Sequence, residues 1–262
     1  MDNNAGAGGI LGAEISAKSP ADGYTIFMGH IGTHGANPAL YSKLPYDPVK
    51  DFAPVSLLVT IPNLVAVLPA LPVTNIRELI DLAKSKPGAL NVASPGIGTS
   101  ANLNIALFKS LSGTDLTHVP FKGSVASMQA IVGGEVQVAF DTVTSIMPQA
   151  RAGKLRVLAV SSKERSPLAP DAPPLNDTVP GFDVSTWFAF FVPAGTPKAV
   201  IDRINADTLR VLQSKDTAER LQGIGMNIVG GSPEQLAAHV ASEIARWSKV
   251  AKVVKEANIR IE

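Results

Sequence analysis

The sequence predicts an α/β protein built on parallel strands, with helices on both faces of the sheet. Three observations predict it. Short apolar, β-prone runs alternate with helix-patterned runs along the chain, the signature of repeated strand–helix units. Four connections that follow strands (Gly29–Pro38, Ser94–Ser100, Phe121–Ser124 and Asp141–Ser145) are made of small or polar residues, and each leads into a helix start. The chain has 262 residues, enough for one large α/β domain or two smaller ones with separate cores.

Taken in order, Tyr24–Met28 (YTIFM) reads as the first strand, and Asn37 before Pro38 as the N-cap and first residue of a short helix. Phe52 to Ile76 carries no charge, but Pro54, Pro62, Pro69 and Pro72 would break a membrane helix repeatedly, so two short buried strands, Val55–Thr60 and Asn63–Leu68, are expected. Asn75–Lys86 is a helix: Asn75 caps it, Glu78 sits three residues on, and Ile76, Leu79, Ile80 and Ala83 form its apolar stripe. Leu90–Ala93 is a strand, followed by the glycine turn SPGIGTSANL and a helix to about Leu111. Strands at Leu116–Phe121, Val136–Phe140 and Leu155–Val160 alternate with helices that end near Gly133-Gly134 and Gly153. Ser161–Asp183 is a long loop with five prolines. Ser185–Val192 (STWFAFFV) is a strand, in which Trp187, Phe188, Phe190 and Phe191 read as core or interdomain packing. Thr196-Pro197 opens the next helix. The last helix has Ser232 as cap, Pro233 at its first position and Gln235 completing a capping box.

Composition excludes several functions. Charged residues make up 17% of the chain, below the usual ~25%, and the net charge is +1 with no block of one sign, so no nucleic-acid or membrane-surface partner is expected. The absence of cysteine removes disulfides, thiolate catalysis and zinc–cysteine sites, and fits an oxidising compartment. Met1 leads into DNNAGAGG without a basic start or an apolar core, so no signal peptide is expected, and the chain reads as cytoplasmic or as a processed or truncated form.

The four loops carry the candidate chemistry. Each helix N-terminus offers unpaired N–H donors and about half a positive charge, and glycine lets a ligand approach the backbone. Several such loops together would hold a small anion with few basic side chains. They also fit ordinary strand-to-helix corners. SPGIGTSANL is not a Walker A loop, because Thr99 rather than lysine precedes Ser100, and G-x-S-x-G occurs nowhere. It does match G-x-G-x-x-A through Gly96, Gly98 and Ala101, and Lys122 after the next strand suits a 2′-phosphate. An NADP-dependent oxidoreductase is therefore the alternative reading. His30 and His34 are four apart in a loop with no glutamate between them, so no metal centre is expected, and His34 reads as solvent-facing or ligand-touching. His118 reads as structural and His239 as a surface residue. Asp141 is either a helix N-cap or a partner for a ligand's amino or hydroxyl group, and Lys122 either a solvated cation or a carboxylate clamp. A Ser100–His34–Asp141 triad lacks a nucleophile elbow.

In order and spacing, AGAGG (Ala5–Gly9), SPADGYT, GTHGANPALY, LPYDPVKDFAPVSLL, SPGIGTSANL, VPFKGS, GGEVQVAFD, GKLRVLAVSS and FVPAGTP closely resemble the Bug-type (TctC) solute receptors of tripartite tricarboxylate transporters. The resemblance spans essentially the whole chain. It implies a periplasmic, non-catalytic receptor with a type II periplasmic-binding-protein-like fold, two α/β lobes joined by crossing strands. Lobe 1 would comprise residues 1–90 plus 187–262, and lobe 2 residues 91–186. The lobes would close on a di- or tricarboxylate, acidic amino acid or aromatic acid in the cleft, and the receptor would work as a monomer, without cofactor or metal, delivering the acid to membrane subunits of the transporter. Carried over by position, lobe 1 supplies Thr33, His34 and Asn37. Lobe 2 supplies Pro95, Gly98, Thr99, Ser100, Lys122, Gly123 and Asp141, with Thr99 and Ser100 binding a carboxylate. Relative to the family, the chain begins after an opening strand, glycine loop and helix. This implies a first lobe without its first β–α unit, with an exposed strand edge, a half-open site and weakened ligand binding or solubility.

Overall fold

The structure, a computed structural model, describes residues 9–256, so all of AGAGG except Gly9 lies outside the described residues. The chain packs as two compact units. Unit 1 takes the chain up to Thr60 and again from Trp187 to Lys252; unit 2 takes Ile61–Thr186.

In unit 1, α1 (Ile10–Ala17) precedes β1 (Phe27–His30), and β1 pairs antiparallel with β7 (Ser185–Pro193), Phe27 opposite Phe191. Between β1 and β2 (Phe52–Val67) lie a π-helical turn, Gly32–Ala36, and the short α2 (Asn37–Leu40). Asn37 is thus inside α2 and Ala36 is its N-cap, where the Asn-Pro pair had suggested one residue later. The first half of β2 also pairs with β8 (Asn227–Ile228). The helices α7 (Lys198–Leu212), α8 (Lys215–Gly223) and α9 (Pro233–Glu256) complete the unit; α8 and β8 were not legible in the sequence. α9 starts at a reciprocal capping box: the Gln235 N–H donates to Ser232 Oγ, and the Ser232 N–H to Gln235 Oε1. It is anchored by Glu243, 7% exposed, which accepts from both buried indoles, Trp187 Nε1 at 3.1 Å and Trp247 Nε1 at 3.3 Å. Trp187 and Phe191 point into the core, while Phe188 and Phe190 on the other face of β7 are half-buried. His239, expected at the surface, is half-buried with its ring edge-on to Trp187 at 5.0 Å.

In unit 2, β3 (Asn91–Ser94) lies between β4 (Thr117–Pro120) and β5 (Val138–Thr142), parallel to both. The second half of β2 runs antiparallel to β5 and to β6 (Arg156–Val160). The parallel arrangement expected of the whole sheet therefore holds for β3, β4 and β5, whereas β1 with β7, and β2 with β5, β6 and β8, pair antiparallel. The helices are α3 (Ile76–Ser85), α4 (Ser100–Ser112), α5 (Ser124–Val132) and α6 (Val143–Arg151). α3 carries the predicted cap, with the Glu78 N–H donating to Asn75 Oδ1 at 3.0 Å, and its buried residues are Ile76, Leu79, Ile80 and Ala83. The proline-rich segment after β6 packs through Leu175, Val179 and Phe182, all under 4% exposed.

The largest difference from the sequence reading is β2. Two strands were expected on either side of Ile61-Pro62, yet one strand of 16 residues forms. Proline is tolerated because partners change there. The β8 ladder ends at Thr60 and the β5 ladder begins at Asn63, so neither needs an N–H from residue 62. The units accordingly divide at Thr60/Ile61, where the sequence reading divided near Leu90. The second division, Thr186/Trp187, falls within β7.

Candidate functional site

The glycine turn of unit 2 is shaped by its own backbone. Gly96 (φ 138°) and Gly98 (φ 77°) lie in the left-handed region. A Cβ on Gly96 would come within 3.1 Å of the Phe121 carbonyl. Thr99 is the N-cap of α4. Its hydroxyl donates to the Gly96 carbonyl at 2.6 Å and accepts from the Asn102 N–H at 3.4 Å. The Leu103 N–H donates to the Thr99 carbonyl, and the Gly98 N–H to Asn102 Oδ1 at 3.1 Å. The N–H groups of Ser100 and Ala101 find no acceptor among the described residues, as the opening of a helix dictates.

Two neighbouring turns meet this one. The Phe121 N–H donates to the Ser94 carbonyl at 3.0 Å, and the Gly123 N–H to the Pro95 carbonyl at 2.9 Å. Gly123 (φ 95°) is the N-cap of α5 and is exposed, as is Lys122. At the end of β5, Asp141 is 1% exposed. Its Oδ1 accepts from the Thr142 N–H at 2.7 Å and from Ser124 Oγ at 3.2 Å, while its Oδ2 is buried without a partner. Burial raises its pKa above the usual carboxylate value, against the opposing pull of those hydrogen bonds. Thr142, not Asp141, is the N-cap of α6, so of the two readings the N-cap one does not hold. Pro95, Gly98, Thr99, Ser100, Lys122, Gly123 and Asp141 thus gather at the carboxyl ends of the parallel strands β4, β3 and β5, the edge at which open α/β sheets take ligands.

A residue read as merely structural braces this turn. The ring of His118 lies with Nε2 2.7 Å from Ser94 Oγ and Nδ1 3.4 Å from Asn102 Nδ2. An amide nitrogen only donates, so Nδ1 accepts and the ring proton sits on Nε2. Ser94 Oγ in turn accepts from the Gly96 N–H at 3.2 Å. Burial, reinforced by Lys109, pushes the His118 pKa down to about 4, so the ring stays neutral. No sequence signal marks this pairing, because His118 and Asn102 meet only when β4 packs beside β3.

In unit 1, Thr33, His34 and Asn37 are fully buried. Thr33 Oγ1 accepts from the His30 N–H at 3.0 Å and lies 3.0 Å from His34 Nδ1. The His34 ring stacks on Phe191 at 3.8 Å and 18°, with Phe52 edge-on at 4.8 Å. His34 is therefore not solvent-facing. Burial, with His30 adding to it, pushes its pKa down to about 3. Asn37 Nδ2 donates to the Tyr46 hydroxyl at 3.4 Å, which itself donates to the Thr33 carbonyl at 2.9 Å. His34 Nε2 and Asn37 Oδ1 are buried without partners. Among the described residues no group of three His, Asp or Glu is placed to hold a metal, and no helix is long and apolar enough to cross a membrane.

The sequence model of the family described as "Tripartite tricarboxylate transporter family receptor" (TctC) matches residues 1–258. The chain belongs to this family. Protein BugT of Bordetella pertussis (strain Tohama I) is 32% identical to this TctC chain over 264 residues, covering 100% of it and 80% of BugT. The solved structure of R. palustris Rpa4515 with adipate superposes with a TM-score of 0.91 at 36% identity, covering 97% of this chain and 85% of that one. MatC (Rpa3494) from Rhodopseudomonas palustris with bound malate gives a TM-score of 0.87 at 37% identity, over 94% and 85% of the two chains. These likenesses establish the two-lobed TctC fold and a carboxylate-binding receptor family.

Proposed function

We propose that this chain binds a small dicarboxylate in the periplasm and delivers it, chemically unchanged, to the membrane subunits of a tripartite tricarboxylate transporter. One carboxylate is held at the α4 turn by the N–H groups of Ser100 and Ala101 and by the Ser100 hydroxyl, with Lys122 and the N-terminus of α5 beside it. Asp141 faces a donor on the ligand: a hydroxyl, an ammonium or, when Asp141 is ionised, a protonated carboxyl. The observation that carries the reading is the meeting of two helix N-termini and a buried, half-satisfied carboxylate at one sheet edge. A helix N-terminus contributes up to about 2 kcal/mol to an anion in a partly buried site, so two of them with direct hydrogen bonds supply much of the ~8 kcal/mol of micromolar affinity. The acids bound by Rpa4515 and MatC, adipate and malate, make dicarboxylates the first class to test.

The test is calorimetric titration with malate, adipate, citrate, aspartate and nicotinate, with NADPH as a separate arm. Binding of one or more of the acids with no turnover is expected. Binding of NADPH alone would replace this reading with the oxidoreductase one.

A further inference from the structure

Ser100, at the head of α4, touches a residue far along the chain. Thr186 Oγ1 donates to Ser100 Oγ at 2.5 Å, and both residues are under 10% exposed. Thr186 is the last residue of unit 2 before β7 carries the chain into unit 1. Its hydroxyl has one hydrogen. Ser100 Oγ at 2.5 Å takes it in preference to Asn63 Oδ1, which lies 3.5 Å away. Once Ser100 accepts that hydrogen, its own hydrogen is left to give, and no acceptor for it is present among the described residues.

The surroundings hold this pair in place. Asn104 Nδ2 donates to the Ser100 carbonyl at 2.7 Å. Ser161, fully buried, ties β2 to the segment entering β7 through four hydrogen bonds made by its N–H, carbonyl and hydroxyl. Its N–H donates to the Asn63 carbonyl at 2.8 Å and its Oγ to the Val184 carbonyl at 2.5 Å. Its Oγ also accepts from the Asn63 N–H at 2.8 Å, and its carbonyl from the Val184 N–H at 3.0 Å. Thr186 lies two residues beyond Val184, which these bonds hold. Asn63 Nδ2 and Asn104 Oδ1, on the two residues flanking the pair, are buried without partners.

We propose that Thr186 is a positioning residue for the anion turn: its hydroxyl holds Ser100 as a donor toward the ligand's carboxylate and ties that turn to the strand on which the chain leaves unit 2. Capture of the acid completes a directed chain, Thr186 to Ser100 to carboxylate, in which each hydroxyl polarises the next. Occupancy of the turn is therefore felt by β7 at the residue where the chain crosses between units. This rests on the proposed carboxylate reading for its ligand, but not for the positioning itself.

Three variants test it: Thr186→Val, Thr186→Ser and Ser100→Ala, with Thr186→Val also made in the Ser100→Ala background. Titration with malate and adipate reads affinity, and amide hydrogen exchange at residues 98–103 without ligand reads the turn. Thr186→Val is expected to weaken binding at least about tenfold, because Ser100, no longer held as a donor, loses its charge-assisted hydrogen bond to the carboxylate. It should also speed exchange at residues 98–103 while leaving α3 unchanged. Thr186→Ser should restore both, and in the Ser100→Ala background Thr186→Val should have little further effect. Equal affinity losses from Thr186→Val in both backgrounds, or failure of Thr186→Ser to restore the turn, would overturn the proposal. Failure of the parent chain to bind any acid of the panel would remove the carboxylate reading. The exchange data would then decide the positioning role alone.

Discussion

Two glycine-rich loops that look alike in sequence fold to opposite ends. The unit 1 loop after β1 winds into a π-helical turn, buries Thr33, His34 and Asn37 completely, and stacks the His34 ring on Phe191. The unit 2 loop after β3 keeps Gly96 and Gly98 in left-handed conformations and leaves the first N–H groups of α4 without acceptors among the described residues. Both have glycine, a hydroxyl residue and a helix start. What separates them is the packing partner. Phe52 and Phe191 close over one loop, while the other lies at the carboxyl ends of β3 and β4, with polar partners (the neighbouring turns, His118 and Thr186) against it. A glycine-rich strand-to-helix connection thus keeps open N–H donors in one case and is buried in the other, and distant residues decide which.

Removing the unit 2 hydroxyls should have the largest effect. Thr99→Ala with Ser100→Ala should abolish acid-induced stabilisation, which at a hundredfold excess over Kd amounts to about 2.7 kcal/mol. The unliganded protein should lose the Thr99 cap, about 1 kcal/mol, and the buried Thr186–Ser100 hydrogen bond, about 1 kcal/mol more, in urea unfolding. An unchanged acid response would show that the turn is only a corner.

Next in size is Gly29→Ala. A Cβ there would lie 2.6 Å from the Phe191 ring and 2.8 Å from His34 Nδ1. Such overpacking costs about 1–3 kcal/mol, read as a lower urea midpoint. An unchanged midpoint would contradict the close-packed account of the unit 1 loop.

The buried histidines give a pH signature. The folded pKa values of His34 and His118, about 3 and about 4, lie below the unfolded value near 6.5. Below pH 6.5 the unfolded chain takes up protons that the folded chain refuses, so the stability these rings contribute above pH 6.5 is lost as pH falls toward 4. His34→Phe, which keeps the stacked shape, should flatten this slope between pH 6.5 and 4. A slope identical to the parent's would contradict a neutral, buried His34.

The smallest effect is at Asp141. Its folded pKa is raised, so its contribution is favourable only while it is protonated and is lost as pH rises through that pKa. Asp141→Asn should therefore raise unliganded stability at pH 7 by about 1 kcal/mol or less and leave it nearly unchanged at low pH. Thermal melts at both pH values check it, and a loss of stability at pH 7 would contradict the burial argument.

Much of the fold was legible because local rules and tertiary packing agreed. Asn75 with Glu78, and Ser232 with Gln235, cap their helices as their spacing requires. β2 was misread because proline within an apolar run normally ends a strand. Here the change of partners at residue 62 excuses the missing donor. Of the candidate site, the glycines and the N-cap threonine carry local signals. His118, Asn102 and Thr186 carry none, since their roles arise from strand adjacency and from a contact spanning 86 residues.

The most direct test is a ¹⁵N-resolved NMR titration of the protein with malate and adipate. The account predicts that the amides of Gly98, Ser100, Ala101, Gly123 and Ser124 shift furthest as the acid saturates. Saturable binding that leaves those five amides unmoved would contradict capture of the carboxylate at the α4 turn.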